Sequence, residues 1–247
     1  MWPVYVINMA DNQRRMTKAA RALEVAGIPF ERFDAIVGRD ISAARISEVY
    51  DANANRRDFR HPLLPGELGC YLSHIALWQK IVDEGHDGAF LLEDDFEAQS
   101  HLKAVLSKLS KDDRPWDLVK LYARRPAAKV VASEKLVEGV DLVEPYQIPN
   151  TTLGYAIRRS AAEKLLTASI PFARPIDEDH KRFWEHGLNV RLVVPTPLTL
   201  GEESETGDTI AAARQVLQGG LWQGLRNLRY RLNYRWHLFL ARRGTIK

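Results

Sequence analysis

Short apolar segments alternate with helix-like stretches along the first 200 residues, and this order constrains the fold more than any other feature of the chain. Six segments have the length and the content of β-branched and aromatic residues typical of strands. They cover residues 3–8, 30–35, 88–92, 118–122, 152–158 and 190–194. Because strands that alternate with helices usually form a sheet covered by those helices, the sequence predicts an α/β fold.

Two helices can be placed between these strands from their end signals. Asp11 is a candidate N-cap for the first, whose apolar residues recur at helical spacing until Gly27 ends it. A longer helix is predicted from Pro65 to Glu84, with leucine, isoleucine and valine along one side. The stretches with little periodicity are interpreted as long loops or excursions. They cover residues 39–62 and 123–150.

Charge is distributed unevenly along the 247 residues. The net charge is +3, yet eight basic and no acidic residues follow Asp208, so the preceding part is net acidic. We therefore divide the chain into a domain of residues 1–208 and a basic tail of residues 209–247. Cys70 is the only cysteine, and we find neither a secretion signal nor an apolar run long enough to cross a membrane. These features predict a cytoplasmic protein without disulfides.

Three consecutive carboxylates, Glu93, Asp94 and Asp95, follow the third predicted strand. Open α/β sheets bind ligands at the carboxyl ends of their strands, which is where this acidic triplet would lie. Two such charges repel each other by about 1 kcal/mol at 4 Å in water, and by more where water is excluded. A hard divalent cation, Mn²⁺ or Mg²⁺, would offset that repulsion. The alternative is a solvated acidic turn without function.

A second pattern, GELGCYLSH at residues 66–74, opens the long helix. Glu67 and His74 are two helical turns apart and therefore share a face. Gly69 leaves room for a close neighbour, such as a ligand or a backbone segment. In the alternative interpretation, Ser73 and His74 are polar residues satisfied within the core and Gly69 is a packing contact.

The third pattern is the cluster PIDEDH at residues 175–180. Asp177 or Asp179 can serve as a general base, and either of them with His180 can complete a metal shell. Acidic residues in the first turn of a helix also offset the helix dipole, so a purely structural explanation is available as well. Both interpretations stay open on these residues alone.

Together with the segment after the first strand, these patterns resemble glycosyltransferase family 25, the lipooligosaccharide-biosynthesis group related to collagen galactosyltransferases. The resemblance spans residues 3 to about 205 and keeps the motifs in the family's order. The motifs are Ile7-Asn8-Met9 with Arg14 or Arg15, Phe33-Asp34-Ala35 with Gly38, residues 66–74, Leu92-Glu93-Asp94-Asp95, Gly154-Tyr155 and Pro175-Ile176-Asp177. The chain departs from the family pattern at the arginine-rich stretch 39–62 and at residues 201–204.

This resemblance implies a GT-A-like fold, an α/β/α nucleotide-binding sheet joined to an acceptor-binding half. It also implies inverting transfer from a nucleotide sugar, with UDP-galactose the first choice. Asp95 would be the direct ligand of Mn²⁺ or Mg²⁺, with Glu93 and His180, and Asp177 would be the base ahead of Asp179. The residues assigned to donor binding are Asn8, Arg14, Arg15, Asp34, Ala35, Glu67, Ser73, His74, Glu93, Asp94, Gly154 and Tyr155.

The basic tail contains an apolar stripe at helical spacing. Its members are Leu221, Leu225, Leu228, Leu232, Trp236 and Phe239. A basic amphipathic helix of this kind suits an anionic membrane surface. We therefore expect a peripheral protein at the inner face of the cytoplasmic membrane, acting on a lipid-linked lipopolysaccharide or lipooligosaccharide saccharide. The alternative is a helix packed on the body with a solvated basic face.

Two functions from other classes compete with this interpretation. A metal-dependent phosphohydrolase could use the same carboxylates with water as the nucleophile. A nucleic-acid-binding protein could use the arginines and aromatic residues of the tail, but the net acidic body weighs against a nucleic-acid partner. Neither alternative accounts for residues 66–74, so the sequence favours the glycosyltransferase.

Overall fold

A computed structural model describes residues 1–201 and 221–244 of the chain. The strands in these ranges are β1 (Val4–Asn8), β2 (Glu31–Asp34), β3 (Gly88–Glu93), β4 (Phe96–Ala98), β5 (Leu118–Lys120), β6 (Val130–Val137), β7 (Val140–Pro145), β8 (Gly154–Arg158), β9 (Val190–Val194) and β10 (Leu198–Leu200). All six strands predicted from the sequence are confirmed. The others are three residues long or lie in the stretches that lack clear periodicity.

Eight of these strands form one mixed sheet in the order β2-β1-β3-β8-β5-β9-β7-β6. β1 pairs in parallel with β2 and β3, whereas β8 runs antiparallel between β3 and β5. The register places Asn8 opposite Asp34, and Ile7 opposite Glu93. The parallel strands β1, β2 and β3 therefore end at the same edge, where the residues that follow them meet.

Helices cover both faces of this sheet. They are α1 (Gln13–Val25), α2 (Ala43–Val49), α3 (Ala52–Asp58), α4 (Pro65–Asp83), α5 (Leu102–Leu109), α6 (Arg159–Ala168), α7 (Ile176–Lys181) and α8 (Leu221–Arg242). Tyr5 of β1 packs in one core cluster with α4 and α6, whereas Val6 packs in another with α1 and α5. The predicted α/β class is confirmed, and the finer GT-A assignment stays a prediction.

The ends of the two main helices lie close to their predicted positions. α4 begins at Pro65 as predicted and ends at Asp83, one residue before the predicted end. The N-cap of α1 is Asn12 and not Asp11, because the Asn12 side chain accepts a hydrogen bond from the amide of Arg15. Gly27, with a φ of +61°, follows the end of α1 in the left-handed conformation that glycine adopts without strain.

Both stretches predicted to be long loops or excursions contain regular structure. Residues 39–62 include α2 and α3, whose first turns are capped by the side chains of Ser42 and Asp51. Residues 123–150 include a hairpin of β6 and β7 that turns at Gly139. The stretches are therefore excursions with regular structure and not loops. Short capped helices and a mostly exposed edge strand need no long apolar repeat, so periodicity did not reveal them.

The C-terminal helix α8 packs against the body through one face. The Tyr230 hydroxyl donates to Glu178, and the rings of Tyr234 and Trp184 lie 5.7 Å apart. The predicted apolar stripe points away from this contact and is exposed at Leu225, Leu228, Leu232, Trp236 and Phe239. The predicted domain boundary at residue 208 and the side chain of Leu221 lie outside the described part of the chain. In that described part, no helix has both the length and the apolar character of a membrane span.

Candidate active site

A cavity of about 670 Å³ opens at the edge of the sheet where β1, β2 and β3 end. Its wall is formed by the turn after β3, the loop after β2, the first half of α4, and the segments before β8 and at the start of α7. Open α/β sheets usually bind ligands at this edge, so the cavity is the candidate active site. Predicted site residues in its wall are Arg15, Ala35, Glu67, Ser73, His74, Glu93, Asp94, Asp95 and Asp177.

Residues from β1 and α1 hold the end of the acidic triplet. Asp94 accepts a hydrogen bond from Asn8 Nδ2 at 2.6 Å and pairs with Arg15 at 3.5 Å. The same Arg15 guanidinium lies 3.8 Å from the Asp95 carboxylate. The guanidinium lines the cavity and has five N–H donors, so those not used by the two acidic residues can pair with phosphate oxygens that enter there.

Glu93 ends β3 and accepts a hydrogen bond from the Thr152 hydroxyl. Burial raises the pKa of the Glu93 carboxyl, and the nearby charge of Asp95 raises it further. A cation bound between these two carboxylates would reverse both effects. Asp95 and Glu93 stay the predicted ligands of a hard divalent ion, which prefers carboxylate oxygens.

Asp177 lies in the first turn of α7 and faces the same cavity. Its Oδ1 accepts a hydrogen bond from the amide of Glu178 at 2.8 Å. Burial, together with the charge of Glu178, raises the pKa of Asp177 to about 6, and Lys120 acts in the opposite direction. A carboxylate with such a pKa at a cavity wall is suited to accept a proton from a hydroxyl group.

Asp179 and His180 face the protein interior instead. Asp179 accepts hydrogen bonds from Arg174 Nε and from the Tyr71 hydroxyl, each at 2.7 Å. His180 Nδ1 lies 2.9 Å from the ammonium nitrogen of Lys120. Neither residue belongs to the described lining of the cavity. The geometry therefore favours Asp177 over Asp179 as the base and gives no support to His180 as a metal ligand.

Lys120 is a residue of this region that the sequence reasoning missed. It ends β5, is fully buried, and donates a hydrogen bond to the carbonyl oxygen of Thr151 at 2.6 Å. Burial lowers its pKa to about 7, and the charges of Asp177 and Glu93 oppose that shift. A lysine inside an otherwise apolar strand was the available signal, since lysine is almost never buried without a partner.

The loop after β2 is held tightly against α4. The Ser73 hydroxyl accepts a hydrogen bond from the amide of Ile36 and donates one to the carbonyl of Gly69, both at 2.8 Å. A Cβ atom on Gly69 would overlap the carbonyl oxygen of Ile36, and one on Gly38 would overlap that of Pro65. Two glycines thus permit the close approach that forms this wall of the cavity.

Gly69→Ala is therefore expected to lower the free energy of unfolding by about 1 to 3 kcal/mol, because the added methyl group pushes the loop off α4. The matched control is Gly224→Ala on α8, where a Cβ atom meets nothing within 4 Å. Gly224→Ala should raise the free energy of unfolding by about 0.5 to 1 kcal/mol, because alanine is favoured over glycine in a helix. Urea denaturation of both variants measures the difference, and equal effects would contradict the proposed contact.

The family model described as "Glycosyltransferase family 25 (LPS biosynthesis protein)" matches residues 1–179. The chain belongs to glycosyltransferase family 25. Among the described residues that line the cavity, all except Leu200 lie within the matched range. The candidate active site is therefore built from the part of the chain that the family shares.

Curated relatives also match most of the chain. Procollagen galactosyltransferase 1-B of Xenopus laevis is 32% identical over 184 residues, which are 71% of this chain and 30% of the relative. Procollagen galactosyltransferase 2 of Mus musculus is 29% identical over 185 residues, 71% of this chain and 29% of the relative. A glycosyltransferase 25 family member of Aedes aegypti is 28% identical over 228 residues, which are 83% of this chain and 36% of the relative. The chain thus spans about a third of the length of these relatives.

The donor residues assigned through the family 25 motifs either line the cavity or lie outside its described wall. Seven of them line the cavity, namely Arg15, Ala35, Glu67, Ser73, His74, Glu93 and Asp94. Asn8 is not in the described wall, but its side chain donates a hydrogen bond to Asp94, which is. Arg14 is exposed, and Asp34 is exposed and pairs with Arg32 at 2.9 Å. These two positions are outside the described wall of the cavity.

The Gly154-Tyr155 segment of the family 25 pattern lies in the core beside the cavity. Gly154 packs against the side chains of Leu92 and Leu198 at the start of β8. The Tyr155 hydroxyl accepts a hydrogen bond from Trp78 Nε1 at 3.0 Å and lies 2.8 Å from His74 Nδ1. Tyr155 therefore orients His74, which is itself part of the cavity wall.

Proposed function

We propose that this family 25 glycosyltransferase moves galactose from UDP-galactose to a hydroxyl of a lipid-linked lipopolysaccharide or lipooligosaccharide saccharide, with inversion at the anomeric carbon. The observation that carries this proposal is one cavity lined by both the acidic triplet and the separate carboxylate of Asp177. The family description names LPS biosynthesis, and two of the relatives are named galactosyltransferases. Because their names also specify procollagen, a collagen-like peptide is the competing acceptor.

The proposal includes Mn²⁺ or Mg²⁺ as a cofactor, held by Asp95 and Glu93. When bound, the ion would neutralise charge on the donor diphosphate and on the departing UDP. Asn8 and Arg15 restrain the end of the triplet, and the Arg15 guanidinium offers further donors to phosphate oxygens. These contacts fix the donor relative to Asp177.

Asp177 is the proposed general base. As the acceptor oxygen bonds to the anomeric carbon, the bond from that carbon to UDP breaks and the hydroxyl proton passes to the Asp177 carboxylate. Attack from the face opposite to UDP inverts the anomeric centre. Lys120, buried beside Asp177 and Glu93, stabilises the ionised form that this step needs.

A donor and acceptor screen tests the proposal. UDP-galactose, UDP-glucose and UDP-N-acetylglucosamine are each incubated with Mn²⁺ and with either a truncated lipooligosaccharide or a collagen-like peptide. We expect mass spectrometry to show one added hexose from UDP-galactose on the lipooligosaccharide, with UDP released only when that acceptor is present. UDP release at the same rate without acceptor would support the phosphohydrolase instead.

We further propose that α8 holds the enzyme at the anionic inner surface of the cytoplasmic membrane. Its outer face exposes the apolar stripe described above, and Arg229 and Arg235 follow the two edges of that stripe on the helical wheel. The helix has 22 residues, none of them acidic. A docked helix with an apolar outer stripe and basic edges suits insertion between anionic headgroups.

Replacing Leu228 and Leu232 together by glutamine is expected to weaken binding to anionic vesicles about tenfold per leucine, since each loses apolar area buried in the lipid. Both side chains are exposed, at 54% and 58%, so the fold should be unaffected. Val25→Gln, at a position 83% exposed on α1, is the matched control. Co-sedimentation with phosphatidylglycerol vesicles measures binding, and unchanged binding of the double variant would refute the membrane contact.

A further inference from the structure

We propose that Cys70, His74 and Glu93 form a binding site for a zinc-like transition metal in the wall of the cavity. The three residues offer one sulfur, one nitrogen and one oxygen ligand atom, and these atoms lie within 4.8 Å of one another. All three residues line the cavity. The site shares only Glu93 with the proposed Mn²⁺ or Mg²⁺ site, and it goes beyond the proposed function without depending on it.

Two elements of the fold bring the ligands together. Cys70 and His74 are four residues apart on α4 and therefore lie on the same side of the helix. Glu93 reaches them from the end of β3, and the Thr152 hydroxyl fixes its carboxylate. Zinc bonds of about 2.3 Å to sulfur and about 2.0 Å to nitrogen place ligand atoms about 3.5 Å apart. The site thus closes around a metal with side-chain shifts of about 1 Å.

The imidazole of His74 provides independent evidence for a ligand. The residue is 1% exposed, and its Nε2 atom is buried without a hydrogen-bond partner among the residues the structure describes. Such an unpaired buried group costs about 1 to 3 kcal/mol. A metal at Nε2 would satisfy this atom, while Nδ1 keeps its proton and donates it to the Tyr155 hydroxyl 2.8 Å away. Metal-bound histidines are typically oriented by a contact of this kind.

The chemistry of the ligands selects the metal. Thiolate and imidazole ligands favour zinc, whereas Mg²⁺ and Mn²⁺ favour carboxylate oxygens and water. Three protein ligands leave the fourth tetrahedral position open toward the cavity. Because Glu93 belongs to both sites, zinc bound at Cys70 would withdraw that carboxylate from the proposed Mn²⁺ or Mg²⁺ site. This one consequence rests on the proposed function: zinc is expected to inhibit glycosyl transfer.

A second cluster of potential ligands is less suited to a metal. Asp179, Glu185 and His186 form the other such group in residues 1–201 and 221–244. Arg174 donates hydrogen bonds to Asp179 at 2.7 Å and to Glu185 at 2.5 Å. The guanidinium already supplies the positive charge that these carboxylates need, so His186 is a suitable control position.

Cobalt binding tests the site in the absence of any nucleotide sugar. We expect titration with Co²⁺ to produce a saturable thiolate-to-cobalt absorption band at one equivalent, which Zn²⁺ removes by competition. The band should be lost in Cys70→Ser, appear with at least about tenfold weaker affinity in His74→Gln, and persist in His186→Gln. A parent protein without the band in excess Co²⁺ would overturn the proposal, as would a full-strength band in Cys70→Ser.

A measurement on the unmodified protein keeps the test independent of how the variants fold. Cys70 is the only thiol in the chain and lines the cavity, so its alkylation by iodoacetamide reports access to the site. Zn²⁺ should slow this alkylation at least about tenfold, whereas Mg²⁺ should not slow it, because Mg²⁺ does not bind the thiol. Equal rates with and without Zn²⁺ would overturn the proposal. The result does not depend on whether the protein transfers galactose.

Discussion

Replacing Asp177 by asparagine is expected to lower kcat by about 10²- to 10⁴-fold and to leave the affinity for UDP-galactose unchanged. The amide has the size of the carboxylate but cannot accept the proton of the acceptor hydroxyl. Initial rates measured as UDP release, together with calorimetric titration of UDP-galactose, separate the two quantities. A variant that keeps more than about a tenth of the parent kcat would exclude Asp177 as the base.

The pH dependence gives this prediction a second readout. Since the pKa of Asp177 is raised to about 6 and the base acts in its deprotonated form, kcat/KM should fall about tenfold per pH unit below 6. The asparagine variant should lack this acidic limb. An identical acidic limb in both proteins would assign the titration to another group.

Asp179→Asn is the matched control, because Asp179 belongs to the same helix but faces Arg174 and Tyr71. Arg174 retains Glu185 as a partner, so we expect a loss of about 3 kcal/mol of stability, the lower end of the range for breaking a buried ion pair. At a temperature where the variant is folded, its kcat should stay close to that of the parent. A folded Asp179→Asn enzyme as slow as Asp177→Asn would contradict the assignment of the base.

Replacing Asp95 by asparagine is expected to abolish the Mn²⁺-dependent stabilisation of the protein by UDP-galactose. At about 100 times the dissociation constant, a ligand stabilises the folded state by about 2.7 kcal/mol. For a chain of this size, that corresponds to a rise in Tm of about 5 to 10 °C. The variant should show no rise, because the metal loses its direct ligand and the diphosphate loses the metal.

Thermal unfolding with and without Mn²⁺, over a panel of UDP-sugars, measures this effect. Asp113→Asn, at an exposed position outside the cavity, should keep the full rise in Tm. A parent protein that responds equally to UDP-galactose in Mn²⁺ and in a metal chelator would refute the metal requirement. A response to another UDP-sugar alone would keep the metal site and change the donor.

The elements that were predictable from the sequence are those with a strong local signal. β1 and β3 are continuous apolar runs, and α4 has a proline at its start and a glycine just beyond its end. Position at the carboxyl end of a strand was enough to predict that Glu93 and Asp95 face a cavity. By contrast, α2 and α3 are seven-residue helices that depend on side-chain caps, so they leave little periodicity to detect.

Features that depend on contacts between distant residues could not be predicted. Asp177 and Asp179 are both acidic residues of one cluster, and the family resemblance ranks Asp177 first. Only the packing of α7 against Tyr71 shows that Asp179 is turned inward. Lys120 and His180 are in contact although 60 residues separate them in sequence. The sequence around either residue therefore did not indicate that His180 faces an ammonium group. Docking of α8 on the body was left open as the alternative interpretation of the tail. The docked face also recurs at helical spacing, since Tyr230, Tyr234 and Leu238 are all buried, but the longer leucine-rich stripe drew the interpretation to the other face.

The hydrogen bond between Tyr230 and Glu178 also determines how far Asp177 lies from the outer face of α8. Glu178 is the neighbour of Asp177 in α7, and α8 carries Tyr230 on one face and the exposed stripe on the other. In the proposed orientation, a single helix about 10 to 12 Å in diameter separates the base from the lipid surface. The enzyme would then glycosylate sugars close to the lipid anchor, and would not act on the outer units of a long saccharide.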